Sequence, residues 1–333
     1  MNFTKTPWVA VNGVLLLDKP RGLTSQQALA VVRRRLRAAK AGHGGTLDPL
    51  ADGLLILCFG AATKFAQRHL DADKRYTAVL QLGVRTSTDD AEGEVLSRQA
   101  VGVTRAQIAA VLPQFVGTVM QTPPVYSALK RDGKPLYAYA RAGQQIDIAA
   151  RTVQIHAIDV VGLEGDRLTL DVFCGKGTYI RALARDIGDA LGCGAHLAAL
   201  TRTASGGFDL QQAVTLDTVQ SLECDALRQR LLPVDALLQA VPRWDLDAGQ
   251  TQRFLHGGRI RIADGGNAAC RGGELRVYGP LAAGQAAQLL GLGVCDGDLL
   301  APRRLLSADE LPAVVPPPAA HCRIDSFHQD ATS

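Results

Sequence analysis

A glycine-rich segment from Gly42 to Gly53 (GHGGTLDPLADG) lies between two short apolar runs, and this arrangement constrains the fold more than any other feature of the chain. The runs are Gly13 to Asp18 (GVLLLD), followed by Lys19 and Pro20, and Leu54 to Phe59 (LLILCF). Both are too short for helices of ordinary length and suit buried strands. Glycines let the backbone take positive φ and pass close to a ligand. Pro49 biases Asp48 toward an extended conformation and so fixes the direction of its carboxylate. A carboxylate on a loop that runs straight into a core strand is a candidate nucleophile or base. The same residue types also build ordinary turns, in which an Asp bonds its own backbone.

At 333 residues and 47% hydrophobic content, the chain can bury one sizeable core and a second, smaller one. Its seven cysteines are scattered, odd in number and without a C-x-x-C pair, which argues against a disulfide framework or a zinc site. The N-terminus shows no signal-peptide core and no run approaches a membrane span, so a cytoplasmic location is expected. Charge is lopsided: residues 1–150 hold 19 Lys and Arg against 11 Asp and Glu, whereas the remainder holds 17 against 21. A basic excess in the half that carries the glycine loop points to a polyanionic partner.

The densest basic run, Arg33, Arg34, Arg35, Arg37 and Lys40, falls in a helix expected over 25–39, with Leu29, Val32 and Leu36 on its inner face. It is either a solvated helix face or a phosphate contact. Residues 74–82 alternate as a half-exposed strand that places Tyr76 with Ala78, Leu80 and Leu82. Thr104 and Gln107 read as a capping box. The segment of about 124–152 interleaves Lys130, Arg131, Lys134 and Arg141 with Tyr137 and Tyr139, a hairpin-like insertion suited to RNA. A strand over 166–174 leads through Gly175-Lys176-Gly177-Thr178-Tyr179 into a helix that Gly192 stops, and 195–201 reads as another strand. The spacing of a phosphate-binding P-loop is absent from this glycine turn, which excludes a nucleotide triphosphatase on that motif. Arg181, at the helix start beside a buried stripe, is either a surface residue or half of an orienting ion pair.

Taken in order, these stretches resemble the TruB family of bacterial tRNA pseudouridine synthases, which convert uridine-55 of the T arm. The resemblance rests on GVLLLDKPRG (13–22), the Gly42–Gly53 loop, DKRYTAVLQLG (73–83), TPPVYSALK (122–130), KPLYAYARAG (134–143), GKGTYIR (175–181) and LGCGAHL (191–197), and it covers the chain to about residue 306. It implies an α+β fold: a pseudouridine-synthase mixed β-sheet catalytic domain over 1–242 with an inserted RNA-binding hairpin, then a small C-terminal β-barrel of PUA-like type over 243–306. Residues 307–333 are expected to be a disordered tail.

The resemblance further implies that Asp48 is the catalytic aspartate, that Tyr76 stacks on the target uracil and assists proton removal at C5, and that Arg181 pairs with Asp48. Tyr179 and Leu200 would line the base pocket, and His43 would take the place of the extruded nucleotide. Lys19 and Pro20 would support the loop. Arg33, Arg37, Lys130 and Arg141 are the candidate RNA-backbone contacts. The expected partner is the T arm of tRNA, bound by a monomer that needs no cofactor or metal and that also assists tRNA folding. Two positions depart from the family pattern: Gly44 and Asp52 stand where threonine is frequent, and Asp52 is expected to face solvent.

The chemistry explains the residue types. Breaking N1–C1′, turning the uracil and joining C5 to C1′ loses no atom overall and needs no redox group, whereas an aspartate ionised at neutral pH can act at the sugar. The sequence leaves open whether it attacks C1′ or removes a sugar proton to give a glycal, the route that family chemistry favours. A stacked uridine must first be everted, at a cost of roughly a few kcal/mol. Two other classes remain: an RNA-folding chaperone without catalysis, for which Asp48 and Arg181 would be unnecessary, and a sugar hydrolase, which would want a second catalytic acid.

Overall fold

The computed structural model describes residues 7–126, 130, 131, 134, 135, 139, 147–262, 273–282 and 284–311. The chain forms two compact units, Met1–Gln239 and Ala240–Ser333.

The first unit begins with β1 (Gly13–Lys19), α1 (Ser25–Leu36), β2 (Ala41–His43) and β3 (Ala51–Phe59). There follow α2 (Ala66–Leu70), β4 (Lys74–Leu82), β5 (Val84–Thr86), β6 (Val95–Arg98), α3 (Arg105–Val111) and β7 (Gly117–Gln121). A short hairpin of β8 (Lys130–Arg131) and β9 (Lys134–Pro135) lies in the insertion, most of which, Arg141 included, is outside the described residues. Beyond it come β10 (Arg151–Glu164), β11 (Arg167–Cys174), α4 (Ile180–Ala190), β12 (Ala195–Ser205), β13 (Phe208–Asp209), β14 (Val214–Thr215), α5 (Leu216–Ser221) and α6 (Cys224–Arg228).

One mixed sheet organises these elements in the order β14-β1-β3-β12-β4-β11-β10-β7, with β2 on β3 and β13 on β12. The late strand β12 sits between β3 and β4, parallel to the first and antiparallel to the second. β1 and β3 read as unbroken apolar runs because both of their faces are buried: Leu15, Leu17, Leu55 and Leu57 join one core, and Val14, Leu16, Leu54 and Ile56 another. Such strands cannot take their register from an alternating pattern. Gly53 supplies it at one end, since a Cβ there would lie 2.5 Å from the Arg202 carbonyl oxygen of β12.

α1 opens on a Thr24–Gln27 capping box and buries Ala28, Leu29, Val32 and Leu36. It ends three residues before the expected Ala39. Arg37 turns left-handed (φ 55°), and the chain leaves the helix so that Ala38 can bridge to Val9. The expected Thr104–Gln107 box is formed on α3. β12 runs four residues past the expected Thr201, and this extension carries Arg202.

The second unit is a small PUA-like β module. Its elements are β15 (Arg243–Asp245), α7 (Ala248–Leu255), β16 (Ile260–Arg261), β17 (Glu274–Gly279), β18 (Gln288–Asp296) and β19 (Leu299–Leu305). The sheet order is β15-β17-β18-β19-β16, and Phe254 of α7 packs with Leu275, Val277, Leu290 and Leu300 in its core. Ser307 to Leu311 continue it as a turn in which the Ser307 N–H donates to Glu310 Oε2 at 2.9 Å. The remainder of the expected tail lies outside the described residues. Among the described residues, no helix is long and apolar enough to cross a membrane.

Candidate active site

Asp48 sits between β2 and β3 on a loop that is held on both sides of it. The buried hydroxyl of Ser25, the first residue of α1, accepts the Leu47 N–H at 2.8 Å and donates to the Leu47 carbonyl at 3.0 Å. The Gly22 N–H donates to Pro49 O at 2.8 Å, and Arg21 Nε to Leu50 O at 3.0 Å. The turn that supplies Gly22 is itself shaped by Lys19. This lysine is fully buried, and its ammonium donates to the carbonyls of Pro20 (2.9 Å) and Leu23 (2.7 Å). Burial pushes the Lys19 ammonium below its ordinary pKa, opposed by the charges of Asp52 and Asp48. Lys19 and Pro20 therefore reach Asp48 through a chain of backbone contacts.

Arg181, in the first turn of α4, brings its guanidinium to that loop. Its Nη2 lies 3.0 Å from Asp48 Oδ2 and its Nη1 3.3 Å from Asp90 Oδ2. Nη2 also donates to Tyr126 O at 2.9 Å. The Asp48 side chain keeps 45% of its surface open, whereas those of Arg181 and Asp90 keep 8% and 4%. The buried side of the guanidinium is thus matched by Asp90 and its exposed side by the one accessible carboxylate. Asp90 is fixed in turn by the Thr88 hydroxyl and by the Glu92 N–H at 3.0 Å. Sequence reasoning missed Asp90; its signal was the acidic loop Thr88-Asp89-Asp90-Ala91-Glu92, in which Asp89 instead pairs with Arg185 at 3.0 Å.

Tyr76 is half-buried on β4, and directly across from it on β12 stands Arg202, 1% exposed. Burial raises the Tyr76 phenol above its ordinary pKa, and the nearby Arg202 guanidinium pulls it back down. Arg202 Nε donates to Leu54 O at 2.7 Å and Nη2 to Gly45 O at 3.4 Å. Among the described residues, no carboxylate lies within 4.0 Å of it. Arg202 is the second group that the sequence reading missed. Leu200, two residues earlier and nearly buried, pairs with Ala51 of β3 and Ala78 of β4, so it stands where the two site-bearing strands are joined.

Tyr179 caps the start of α4 and is gripped by Gln121 of β7. His43 ends β2, partly buried, with a buried Nδ1 that has no hydrogen-bond partner; burial and the Arg202 charge lower its pKa. The candidate RNA contacts on α1 are less free than their spacing implies. Arg33 donates to Ala38 O and Ala39 O, and Arg37 to Pro7 O, so both fasten the segment after the helix. Arg34 and Lys40 are the exposed members of the run. The Lys130 backbone is in β8, but its side chain is outside the described residues.

The two departures have different surroundings. A Cβ on Gly44 would stand 3.2 Å from the His69 ring, so the imidazole occupies the space that a larger residue would need. Asp52 is half-buried and lines a cavity with Asp18, Lys19 and Arg21, where burial and then Asp52 raise the Asp18 carboxyl above its ordinary range. Among the described residues, no group of three or more His, Cys, Asp or Glu is placed to hold a metal ion.

A mixed sheet with an aspartate loop leading into β3, a tyrosine on β4 one strand away across β12, and an arginine from α4 has the architecture of a pseudouridine synthase. Family models match in succession between residues 33 and 306: TruB family pseudouridylate synthase, N-terminal domain, at 33–180; the tRNA pseudouridylate synthase B C-terminal domain at 181–239; and pseudouridine synthase II TruB, C-terminal, at 242–306. The chain is 54% identical over 309 residues to the tRNA pseudouridine synthase B of Ralstonia pickettii (strain 12J), covering 91% of this chain and 96% of that one. It is 52% identical over 299 residues to that of Burkholderia mallei (strain NCTC 10247), covering 89% and 97%. Among solved structures it is similar to a chain of a Cbf5–Nop10–Gar1 complex (TM-score 0.62, 28% identity, 85% of this chain and 78% of that one). It also shares its fold with a chain of an H/ACA RNP bound to a substrate RNA containing 2′-deoxyuridine (TM-score 0.64, 24% identity, 93% and 94%). The chain belongs to the TruB family of pseudouridylate synthases.

Proposed function

We propose that the protein isomerises uridine-55 in the T loop of tRNA to pseudouridine, with Asp48 as the catalytic group. The observation that carries this reading is the accessible Asp48 carboxylate held 3.0 Å from a buried guanidinium inside a chain closely related to tRNA pseudouridine synthases. The everted nucleotide presents its ribose to Asp48, which acts at C1′ or C2′ while Arg181 keeps the carboxylate aimed. The N1–C1′ bond breaks, the uracil turns, C5 joins C1′, the C5 proton leaves and N1 gains one. Tyr76 stacks on the base and acts as a phenolate, the form that the nearby Arg202 charge favours; its oxygen takes the C5 proton and becomes a neutral phenol. Tyr179 and Leu200 line the base pocket, and His43 fills the space left in the RNA. Exposed cations of the basic half, with Lys130 and Arg141 of the insertion, grip phosphates, so binding weakens with salt. The PUA-like unit adds RNA surface.

Tritium release from C5-labelled uridine in an unmodified tRNA transcript tests the reading. Wild type releases tritium, whereas Asp48→Asn binds the transcript and releases none. Equal release from both would remove Asp48 from the chemistry; binding without release from either would leave an RNA chaperone.

A further inference from the structure

Residues 7–9 place an exposed tryptophan beside the candidate site, and none of the roles above uses it. Trp8 is 54% exposed, an uncommon state for so large an apolar ring. It is nonetheless anchored by its neighbours. The Pro7 carbonyl accepts from Arg37 Nη2 at 2.8 Å, the Val9 N–H donates to Arg37 O at 2.8 Å, and Val9 O accepts from the Ala39 N–H at 2.9 Å. The Arg33 guanidinium stacks over the ring at 4.8 Å from its centroid, held there by two backbone carbonyls. Trp8, Gln26, Arg33, Arg34, Gly42 and His43 line a cavity of about 380 Å³, large enough to take a nucleotide-sized group. The unpartnered Nδ1 of His43 lies on a residue of the same wall.

A fixed, open indole backed by a cation and flanked by an exposed arginine is the arrangement on which proteins stack unpaired bases while meeting the adjoining phosphate. We propose that this cavity is a second nucleotide subsite, in which a base of the RNA other than the reacting uridine stacks on Trp8 and its phosphate meets Arg34. The inference rests on the reading of the protein as an RNA-modifying enzyme.

Trp8 and Trp244 are the only tryptophans, so Trp244→Phe leaves Trp8 as the sole reporter. An unmodified T-arm stem-loop titrated into this variant quenches Trp8 emission, and the quench saturates together with the anisotropy of a labelled copy of the same RNA. Trp8→Ala weakens binding about tenfold and Trp8→Phe recovers most of the loss. Arg34→Gln lowers the slope of log affinity against log salt by about one. Thermal melts of each variant separate loss of fold from loss of contact, and Arg34→Gln, a surface change, keeps the test open should Trp8→Ala unfold. Unchanged Trp8 emission while anisotropy reports bound RNA would overturn the subsite, as would wild-type affinity and salt slope in both folded variants. A wild type that neither binds nor isomerises the RNA would overturn the functional reading itself.

Discussion

The side-chain amide of Gln121 closes a two-way hydrogen-bonded pair with the main chain of Tyr179: its Oε1 accepts the Tyr179 N–H at 2.8 Å, and its Nε2 donates to the Tyr179 carbonyl at 3.1 Å. Gln121 is 3% exposed, and it ties the last residue of β7 to the start of the helix that carries Arg181. Gln121→Ala leaves a donor and an acceptor of Tyr179 without this partner, and urea denaturation should show a loss of about 1–3 kcal/mol. Gln121→Glu still accepts the N–H but, when ionised, sets a buried carboxylate oxygen against the Tyr179 carbonyl, so it should lose at least as much as the alanine variant.

Asp90 meets the same guanidinium that meets Asp48. Asp90→Asn keeps the shape and the acceptor for Glu92 but removes the charge behind the guanidinium. Its pseudouridine-forming rate under single-turnover conditions should fall by up to about 10²-fold, the scale of a displaced reacting group. RNA affinity, measured by filter binding, should stay near the wild-type value. A parallel loss of affinity would mean that Asp90 shapes the RNA surface rather than the aim of Arg181.

His69 predicts an acid-sensitive fold. It is 4% exposed, bonds Ser205 Oγ at 2.9 Å, and burial with the nearby charges of Lys74 and Arg202 lowers its pKa to about 4. In the unfolded chain the ring titrates near 6.5, so between these values the unfolded state binds the proton and the native state does not. Stability therefore falls as pH drops through this window, by about 2 kcal/mol between pH 7 and pH 5 from this group. His69→Gln, compared with wild type in urea titrations at the two pH values, should show a smaller loss on acidification.

Arg202 carries a buried charge that donates to two carbonyls and lies across the sheet from Tyr76. Arg202→Met should cost about 2–4 kcal/mol, because hydrogen bonds to a charged group are lost and buried acceptors are stranded. Arg202→Lys retains the charge without the fork, so it should fold better than the methionine variant yet react slowly, with little change in KM. Wild-type turnover in a folded lysine variant would remove the Tyr76–Arg202 contact from the mechanism.

The sequence made some of this legible and hid the rest for identifiable reasons. Asp48 stood out because Pro49 and the glycines mark its loop, and the strands on either side were readable because central strands buried on both faces are continuously apolar. Asp90 was hidden because neighbouring Asp89 and Asp90 are indistinguishable as letters; only the backbone decides that one meets Arg185 and the other Arg181. Arg202 lay beyond the expected end of its strand, where an arginine reads as a surface residue. Counting charges on α1 likewise could not reveal that Arg33 and Arg37 spend their donors on the protein's own carbonyls.

The placement of β12 has a consequence for synthesis on the ribosome. β3 and β4 emerge early, yet the strand that joins them is made of residues 195–205, and Arg181 arrives only shortly before it. A nascent or truncated chain lacking this strand has neither of the pairings that join β3 to β4, so the sheet that carries Asp48 and Tyr76 is completed only after translation has passed the middle of the message.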